Sequence, residues 1–301
     1  MTDTDSSPRI LVATDFSPTA TAALDWAASI AADHGGSVVL VHALPLHGPS
    51  ADYLPSPPEI EEHLQGAAVE RMAVVAGELP EGLPVETRLE IGLPSESIVE
   101  VATELDVDLV VVGSRGLTDL GHLMLGSTAE RVVQRAPCPV LVIHPEDTDH
   151  RPVRTILVPT DFSPAARRAI DAAERWLAAV EAPARLVLLH AYHLPVEYTA
   201  YGAVPTSLHF SQDAARQAEE QLAALAAELR REGLTVDTVA REGYPPEMIL
   251  EVAKEKEVDV VALGTHGRTG LRHLLLGSNA ERVVQRAPCP VLTVRLEEAE
   301  E

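Results

Sequence analysis

The stretch Ile10-Leu-Val-Ala-Thr-Asp-Phe-Ser-Pro18 returns almost unchanged as Ile156-Leu-Val-Pro-Thr-Asp-Phe-Ser-Pro164. In both copies an apolar run rich in branched side chains, typical of a strand, leads to an acidic residue and then to Ser-Pro. Serine followed by proline is typical of a helix N-cap with proline at the first helical position. Each half of the chain therefore begins with a predicted strand, an aspartate after it, and a helix.

A second pattern is also written twice. Gly113-Ser-Arg-Gly116, nine residues and Gly126-Ser127 recur 151 residues later as Gly264-Thr-His-Gly267, nine residues and Gly277-Ser278. Glycines let a backbone turn tightly and bring its N–H groups up to an anion. Two copies at one spacing predict two equivalent phosphate-binding loops, one in each half.

The two repeats fix the domain organisation. The first stretch recurs after 146 residues, so the second half has gained five residues before its glycine pattern. The loops that differ most are 45–58 and 193–210, where we expect the insertion. The junction 145–152 is polar and bracketed by prolines, as a linker should be. We therefore predict two domains, residues 1–147 and 153–301.

Each half alternates short apolar runs with helical patterns. The predicted strands cover residues 10–14, 38–43, 85–91, 108–112 and 139–143, then 155–159, 185–191, 234–240, 258–263 and 290–295. The predicted helices lie near 18–33, 59–78, 95–105 and 128–136, then 164–181, 212–232, 246–256 and 279–287. Apolar runs without polar alternation are typical of strands buried on both faces of a parallel sheet. The expected fold class is α/β: two doubly wound, Rossmann-like domains, each a five-stranded parallel sheet of order 3-2-1-4-5 with helices on both faces.

Helix starts mark where an anion could bind. Ser127-x-x-Glu130 and Ser278-x-x-Glu281 fit a capping box with serine as the N-cap. Both glycine patterns then end where a helix begins, and there the unpaired N–H groups and the helix dipole favour an anion.

Composition limits the kinds of partner that the chain can bind. The 301 residues carry a formal net charge of −23 and only 3% aromatic side chains, which disfavours nucleic acid and anionic membranes. The two cysteines, Cys138 and Cys289, occupy equivalent positions, which predicts small buried residues and a reducing compartment. Residues 1–9 are polar and no apolar run reaches the roughly 20 residues of a membrane span, so we expect a cytoplasmic protein.

The acidic residue and the glycine pattern are expected to meet. In an open parallel sheet, ligands bind beyond the carboxyl ends of the strands where strand order reverses. Asp15 follows the first strand and Gly113 the fourth, so the order 3-2-1-4-5 places them in one crevice, and Asp161 with Gly264 in the other. An aspartate there can accept hydrogen bonds from ribose hydroxyls while the loop holds phosphates. This arrangement predicts a nucleotide.

Each of these residues also has a purely structural interpretation. Asp15 fits a turn residue before its helix, and the glycines fit tight turns. Two histidine pairs lie at equivalent places. His42 and His190 fit core or rim residues, whereas His122 and His273 fit either packing under the loop or an approach to phosphate. The other histidines lack the spacing of a zinc site.

Several enzyme classes lack their motifs. The sequence contains no G-x-x-x-x-G-K-S/T, no G-x-G-x-x-G after the first strand and no G-x-S-x-G elbow. No residue stands out as a general base, so we assign no catalytic residue and no metal ligand. Weak hydrolysis or autophosphorylation is the most that we expect.

These residues resemble the universal stress protein family, and specifically its tandem members of the ATP-binding kind. The motif that carries the resemblance is G-2x-G-9x-G-S/T, which both halves satisfy, supported by Thr-Asp-Phe-Ser after each first strand and by the two Ala-Pro-Cys-Pro-Val segments. The resemblance covers Ile10 to Val294. It implies ATP as ligand, with Mg²⁺ bound through the phosphates.

Carried over residue by residue, the resemblance implies two nucleotide sites. The first comprises Ala13, Thr14, Asp15, Val41, Gly113, Ser114, Arg115, Gly116, Gly126, Ser127 and Thr128. The second comprises Pro159, Thr160, Asp161, Leu189, Gly264, Thr265, His266, Gly267, Gly277, Ser278 and Asn279. Arg268 and Arg272 in the second nine-residue segment, against Asp119 in the first, predict tighter triphosphate binding at the second site.

The family resemblance also suggests a role. It implies a nucleotide-dependent regulator of the stress response with an unknown protein partner. Family dimers pair through their last strands, which here predicts a pseudo-dimer within the chain through 139–143 and 290–295, or a homodimer. Two alternatives stay open: a slow ATPase or autokinase, and an interaction scaffold that binds no nucleotide and uses the loops 45–58 and 193–210.

Overall fold

The first unit alternates strands and helices as the sequence predicts. The computed structural model describes residues 7–45, 58–116, 124–148, 152–180, 183–192, 196–199, 202–205, 208–265 and 276–295. The elements of the first unit are β1 (Arg9–Ala13), α1 (Pro18–Asp33), β2 (Ser37–Leu44), α2 (Pro58–Gly77), β3 (Val85–Ile91), α3 (Pro94–Glu104), β4 (Leu109–Gly113), α4 (Ser127–Arg135) and β5 (Val140–Ile143). All pairings are parallel and the order is β3-β2-β1-β4-β5. The predicted order 3-2-1-4-5 is confirmed.

The second unit repeats this plan. Its elements are β6 (Thr155–Pro159), α5 (Pro164–Ala178), β7 (Ala184–Tyr192), β8 (Val196–Thr199), β9 (Gly202–Pro205), α6 (Leu208–Leu229), β10 (Leu234–Glu242), α7 (Pro245–Glu255), β11 (Val260–Gly264), α8 (Ser278–Arg286) and β12 (Val291–Val294). Its parallel strands run in the order β10-β7-β6-β11-β12. The chain divides into compact units between Pro152 and Val153, at the end of the predicted linker.

The insertion in the second unit contains structure that the sequence did not reveal. We expected a loop over 193–210, yet β8 and β9 form an antiparallel pair there, and α6 begins at Leu208, four residues before its predicted start. The two strands are separated by Ala200-Tyr201. Neither residue is the Gly, Asn or Asp that marks a tight hairpin in sequence, so the pair carried no signal.

The strands form the core of each unit. In the first unit the middle residues of β1 and β4 and all of β5 are buried, whereas the edge strand β3 is only half-buried. Burial on both faces explains why these strands read as unbroken apolar runs. None of the helices in the described part of the chain is both long enough and apolar enough to cross a membrane.

Serine caps begin α1 and α5, as predicted. The Ser17 hydroxyl accepts a hydrogen bond from the Ala20 N–H at 3.2 Å, and proline follows at the first helical position. Ser163 does the same with the Ala166 N–H at 3.3 Å. Each bond satisfies one of the N–H groups that a helix start leaves unpaired.

The predicted capping boxes at α4 and α8 are wrong. The N-caps are Gly126 and Gly277, and neither helix has a side-chain capping bond. Ser127 and Ser278 are instead the first helical residues and are exposed. The two glutamates of the proposed boxes accept hydrogen bonds from glutamines one turn further along, in the pairs Gln134–Glu130 and Gln285–Glu281.

This contrast predicts different costs for two serine substitutions. We expect Ser17→Ala to lower the free energy of unfolding by about 1 kcal/mol, because a helix N–H loses its acceptor. Ser127→Ala should change it by less than about 0.5 kcal/mol, because its hydroxyl caps nothing. Urea denaturation followed by circular dichroism measures both. Equal losses for the two variants would contradict the assigned caps.

Both cysteines are free thiols. Cys289 is buried, as predicted, whereas Cys138 is only half-buried. Burial, followed by the nearby carboxylate of Asp108, raises the pKa of the Cys138 thiol to about 12. The thiol therefore stays protonated across the physiological range.

The raised pKa of Cys138 predicts slow alkylation. At pH 8 we expect iodoacetamide to modify Cys138 about a thousandfold more slowly than an unfolded cysteine, because only the thiolate reacts. Mass spectrometry of timed samples gives the rate, and the same chain in guanidinium chloride is the control. Reaction of native Cys138 at the unfolded rate would show that its pKa is not raised.

Candidate functional site

The strand order brings the acidic residue and the glycine pattern to one edge. β1 pairs directly with β4, so residues 14–16 and 113–116 leave the sheet side by side. A Cβ atom placed on Gly116 would stand 2.5 Å from Asp15 Oδ2. In the second unit β6 pairs with β11 in the same way. The two parts of the predicted site therefore share a crevice.

The aspartate both shapes a turn and faces the loop. Asp15 Oδ1 accepts a hydrogen bond from the Ser17 N–H at 3.0 Å, which closes an Asx turn, while Oδ2 lies against Gly116. Asp161 makes the same bond to Ser163 at 3.0 Å. The interpretation of Asp15 as a turn residue is therefore correct for Oδ1, but it does not account for Oδ2, which faces the glycine loop.

The first glycine of each motif is needed for space. A Cβ atom on Gly113 would lie 2.9 Å from Thr19 Cγ2, and one on Gly264 would lie 2.8 Å from the backbone of Ala165. Neither glycine has a positive φ, so the requirement is close approach to α1 or α5 and not conformational freedom.

Two amides of the glycine pattern are already used. The Ser114 N–H donates to the Ile143 carbonyl at 2.7 Å, and the Gly126 N–H donates to the Ser114 carbonyl at 2.8 Å. The equivalent bonds, Thr265 N–H to Val294 and Gly277 N–H to Thr265, measure 3.0 and 2.9 Å. The predicted loop of amides around a phosphate is therefore partly occupied by internal bonds.

The start of α4 has amides without an acceptor among the described residues. The first bond of α4 runs from the Glu130 N–H to the Gly126 carbonyl at 2.9 Å. Within the described ranges, the N–H groups of Ser127, Thr128 and Ala129 donate to no acceptor, as expected for the first turn of a helix. Unpaired amides at the positive end of a helix dipole favour an anion.

One hydroxyl directly after β4 has no partner among the described residues. Ser114 Oγ is fully buried and makes no hydrogen bond with any residue that the structure describes. A buried polar atom left unpaired costs about 1–3 kcal/mol. A ligand or water that reached this hydroxyl would recover that cost.

The second unit holds a cavity of about 280 Å³ at the same edge, near the lower limit of small-ligand pockets. Nine residues of the predicted second site line it: Pro159, Thr160, Asp161, Leu189, Gly264, Thr265, Gly277, Ser278 and Asn279. His266 and Gly267 lie outside the described residues, as do Arg268, Arg272 and the pair His122 and His273.

The apolar wall of this cavity was not predicted from the sequence. Its lining also includes Ala191, Pro245, Ile249, Leu263 and Val283, from four different elements. A repeated Gly-x-Pro, at Gly92–Pro94 and Gly243–Pro245, could have indicated the part at the start of α7. The remaining apolar residues look like ordinary core positions in sequence.

In the first unit the predicted residues occupy the equivalent places. Ala13 ends β1, and the Thr14 N–H donates to the carbonyl of the buried Val41 at 2.9 Å. Arg115 and Thr128 are partly exposed at the crevice edge.

The two histidines of the second strands reach this edge. His42 Nδ1–H donates to the Thr14 carbonyl at 2.7 Å, and the His42 ring lies 4.5 Å from the Phe16 ring. His190 contacts Thr160 and Phe162 in the same way, at 2.7 and 4.7 Å. Both histidines are therefore packing residues, and the segment that they pack against is the turn that carries the aspartate.

Two doubly wound units, each with an aspartate and a glycine-bounded helix start at the carboxyl edge of its sheet, define a class of tandem α/β proteins. The sequence profile of the universal stress protein family matches residues 7–144 and 152–295. The chain belongs to the universal stress protein family, with two copies of the domain.

Known proteins of this family align with nearly the whole chain. A universal stress protein of Mycolicibacterium smegmatis is 32% identical over 294 residues, which cover 95% of this chain and 96% of the relative. One from Mycobacterium tuberculosis is 30% identical over 307 residues, covering 96% and 99%. The crystal structure of a universal stress protein from Archaeoglobus fulgidus superposes with a TM-score of 0.67 at 21% identity, covering 96% and 98%, and so shares the fold.

The packing around Gly264 predicts a cost that is independent of any ligand. We expect Gly264→Ala to lower the free energy of unfolding by about 1–3 kcal/mol, because its Cβ would overlap the backbone of Ala165. Gly66→Ala is the control: nothing lies within 4 Å of that position, and alanine favours the helix. Differential scanning calorimetry of both variants measures the difference. A stable Gly264→Ala variant would mean that the first glycine serves the loop and not the packing.

Proposed function

We propose that each unit binds one adenine nucleotide, ATP in the first instance, and that the chain acts as a nucleotide-dependent regulator of the stress response. The observation that carries this proposal is the cavity of the second unit, in which an apolar wall, an aspartate and the start of helix α8 meet. Those three surfaces suit a base, a ribose and a phosphate chain, in that order.

The apolar wall suits the base. Leu189, Ala191, Pro245 and Ile249 offer carbon surface to a flat ring, and small-ligand pockets are built mostly from such side chains. A free phosphate would make no use of this wall. The wall therefore favours a nucleotide over an inorganic anion.

The helix start suits the phosphates. With a net charge of −23 the chain as a whole repels anions, so local donors must supply the attraction. The first-turn amides of α4 and the unpaired Ser114 hydroxyl are such donors in the first unit. Mg²⁺ would enter bound to the phosphates, and the residues that the structure describes contain no cluster of three acidic, His or Cys side chains around a metal position.

The aspartate suits the ribose. Asp15 lies between the strand end and the glycine loop, with Oδ2 beside Gly116. A carboxylate accepts hydrogen bonds from two neighbouring hydroxyls, and bonds to a charged group are worth about 1.5–3 kcal/mol each. The aspartate should therefore select ribonucleotides over deoxy analogues.

The direct test is to identify what the protein carries. Mass spectrometry of small molecules released by denaturing the purified chain should find an adenine nucleotide, near two per chain when saturated. Calorimetric titration with ATP, AMP and cyclic AMP then ranks the ligands. If nothing is retained and millimolar ATP gives no heat, the nucleotide proposal fails and the scaffold alternative gains. ADP formation by the purified chain would favour the enzyme alternative.

A charge-removing variant tests the role of the aspartates. Asp15→Asn with Asp161→Asn keeps the Oδ1 acceptor of each Asx turn, so the turns should survive. We expect ATP to bind about tenfold more weakly and the preference for ATP over 2′- and 3′-deoxy-ATP to disappear. Asp33→Asn, at the far end of α1, is the control. Unchanged discrimination in the double variant would remove the aspartates from the ribose site.

A further inference from the structure

We propose that His42 and His190 are positioning residues of the two sites, because each holds the strained turn that presents the aspartate. The inference rests on the proposed nucleotide function for its binding consequence, but its structural half stands on contacts within each unit. The two units provide independent copies of the same construction.

Residue 14 is held from three sides. Its N–H donates to Val41 at 2.9 Å, its carbonyl accepts from His42 Nδ1–H at 2.7 Å, and its hydroxyl accepts from the Phe16 N–H at 3.0 Å. Thr160 has the same three bonds, at 2.7, 2.7 and 3.0 Å. A strand therefore fixes the turn through both its backbone and its histidine side chain.

The turn stores strain at the following aromatic residue. Phe16 has φ of 62° and Phe162 has φ of 61°, in the left-handed region that a bulky side chain rarely enters. Such a conformation costs about 1–3 kcal/mol and persists only when its surroundings enforce it. The histidine supports this conformation in two ways: its ring N–H bonds the threonine carbonyl two residues before the phenylalanine, and its ring contacts the phenylalanine ring.

The strained residue directly follows the aspartate, so its conformation determines where the aspartate side chain lies. Asp15 lies between the held Thr14 and the left-handed Phe16, and its Oδ1 bonds to Ser17 directly after. If Phe16 relaxed to negative φ, the Asx turn would open and Oδ2 would leave its place beside Gly116. Losing the histidine should thus weaken the ligand site without any contact between histidine and ligand.

Three substitutions separate the bond from the ring. His42→Leu with His190→Leu removes both, His→Asn at both positions keeps a donor near Nδ1, and His→Phe keeps a ring without a donor. The matched control is His34→Leu, because His34 Nδ1 also bonds a backbone carbonyl, Ile30 at 2.9 Å, but at the opposite end of α1.

Hydrogen exchange measures the stability of the turn in the absence of nucleotide. We expect the Phe16, Ser17, Phe162 and Ser163 amides to exchange about tenfold faster in the double leucine variant, because their acceptors lose their support. Asparagine should restore part of the protection, and His34→Leu should leave these amides unchanged. Unchanged exchange in the leucine variant overturns the inference, whatever the protein binds.

Titration with ATP measures how the loss of the histidines changes nucleotide affinity. The leucine variant should bind ATP about tenfold more weakly, with partial recovery for asparagine, and His34→Leu should bind like the wild type. Equal affinity of the leucine variant and the wild type would refute positioning. If the wild type itself binds no nucleotide, the proposed function fails while the exchange experiment still decides whether the histidines hold the turn.

A glycine at the strained position provides the last check. Glycine enters the left-handed region without cost, so His42→Leu should affect ATP affinity less in a Phe16→Gly background than in the wild type. Full additivity of the two substitutions would show that the histidine does not act through the strained turn.

Discussion

The parallel pairing of β1 with β4 is the constraint on which each unit depends. The chain leaves β1 towards β2 on one side and returns to β4 on the other, so the strand order reverses at this pair and opens a crevice at the carboxyl edge. Asp15 follows β1, and the segment from Gly113 to Gly116 lies at the end of β4. The pairing of these strands therefore places the two side by side. The second unit applies the same constraint through β6 and β11.

Close packing at this edge determines which atoms are left for a ligand. Because Gly113 lacks a side chain, the end of β4 can approach the first turn of α1, and the loop behind it ties its own amides to the Ile143 and Ser114 carbonyls. The amides of Ser114 and Gly126 are therefore already bonded within the protein. The first turn of α4 differs from them, because its amides have no acceptor among the residues described.

Most of the fold could be predicted because it depends on local patterns that occur twice. The strand bounds differ from expectation by at most two residues, and Ser17 and Ser163 cap their helices as expected. Ser127 misled because Gly126 and Ser127 are both acceptable caps in sequence, and a tertiary bond from the Gly126 N–H to Ser114 decides between them. The cavity wall could not be found, since residues such as Ala191 and Ile249 acquire their common role only when separate elements assemble.

The two copies differ at the rim of the site and agree at its base. The histidine bond measures 2.7 Å in both, and the strained φ differs by one degree between Phe16 and Phe162. At the rim, Tyr244 lies under the Arg282 guanidinium at 5.4 Å, where the first unit has the exposed Leu93. A duplicated domain that kept only its fold would be free to vary at the strained turn, because that turn costs stability. Its agreement in both copies therefore supports the proposed positioning role of the turn, whereas the rims are where the two units differ in side chains.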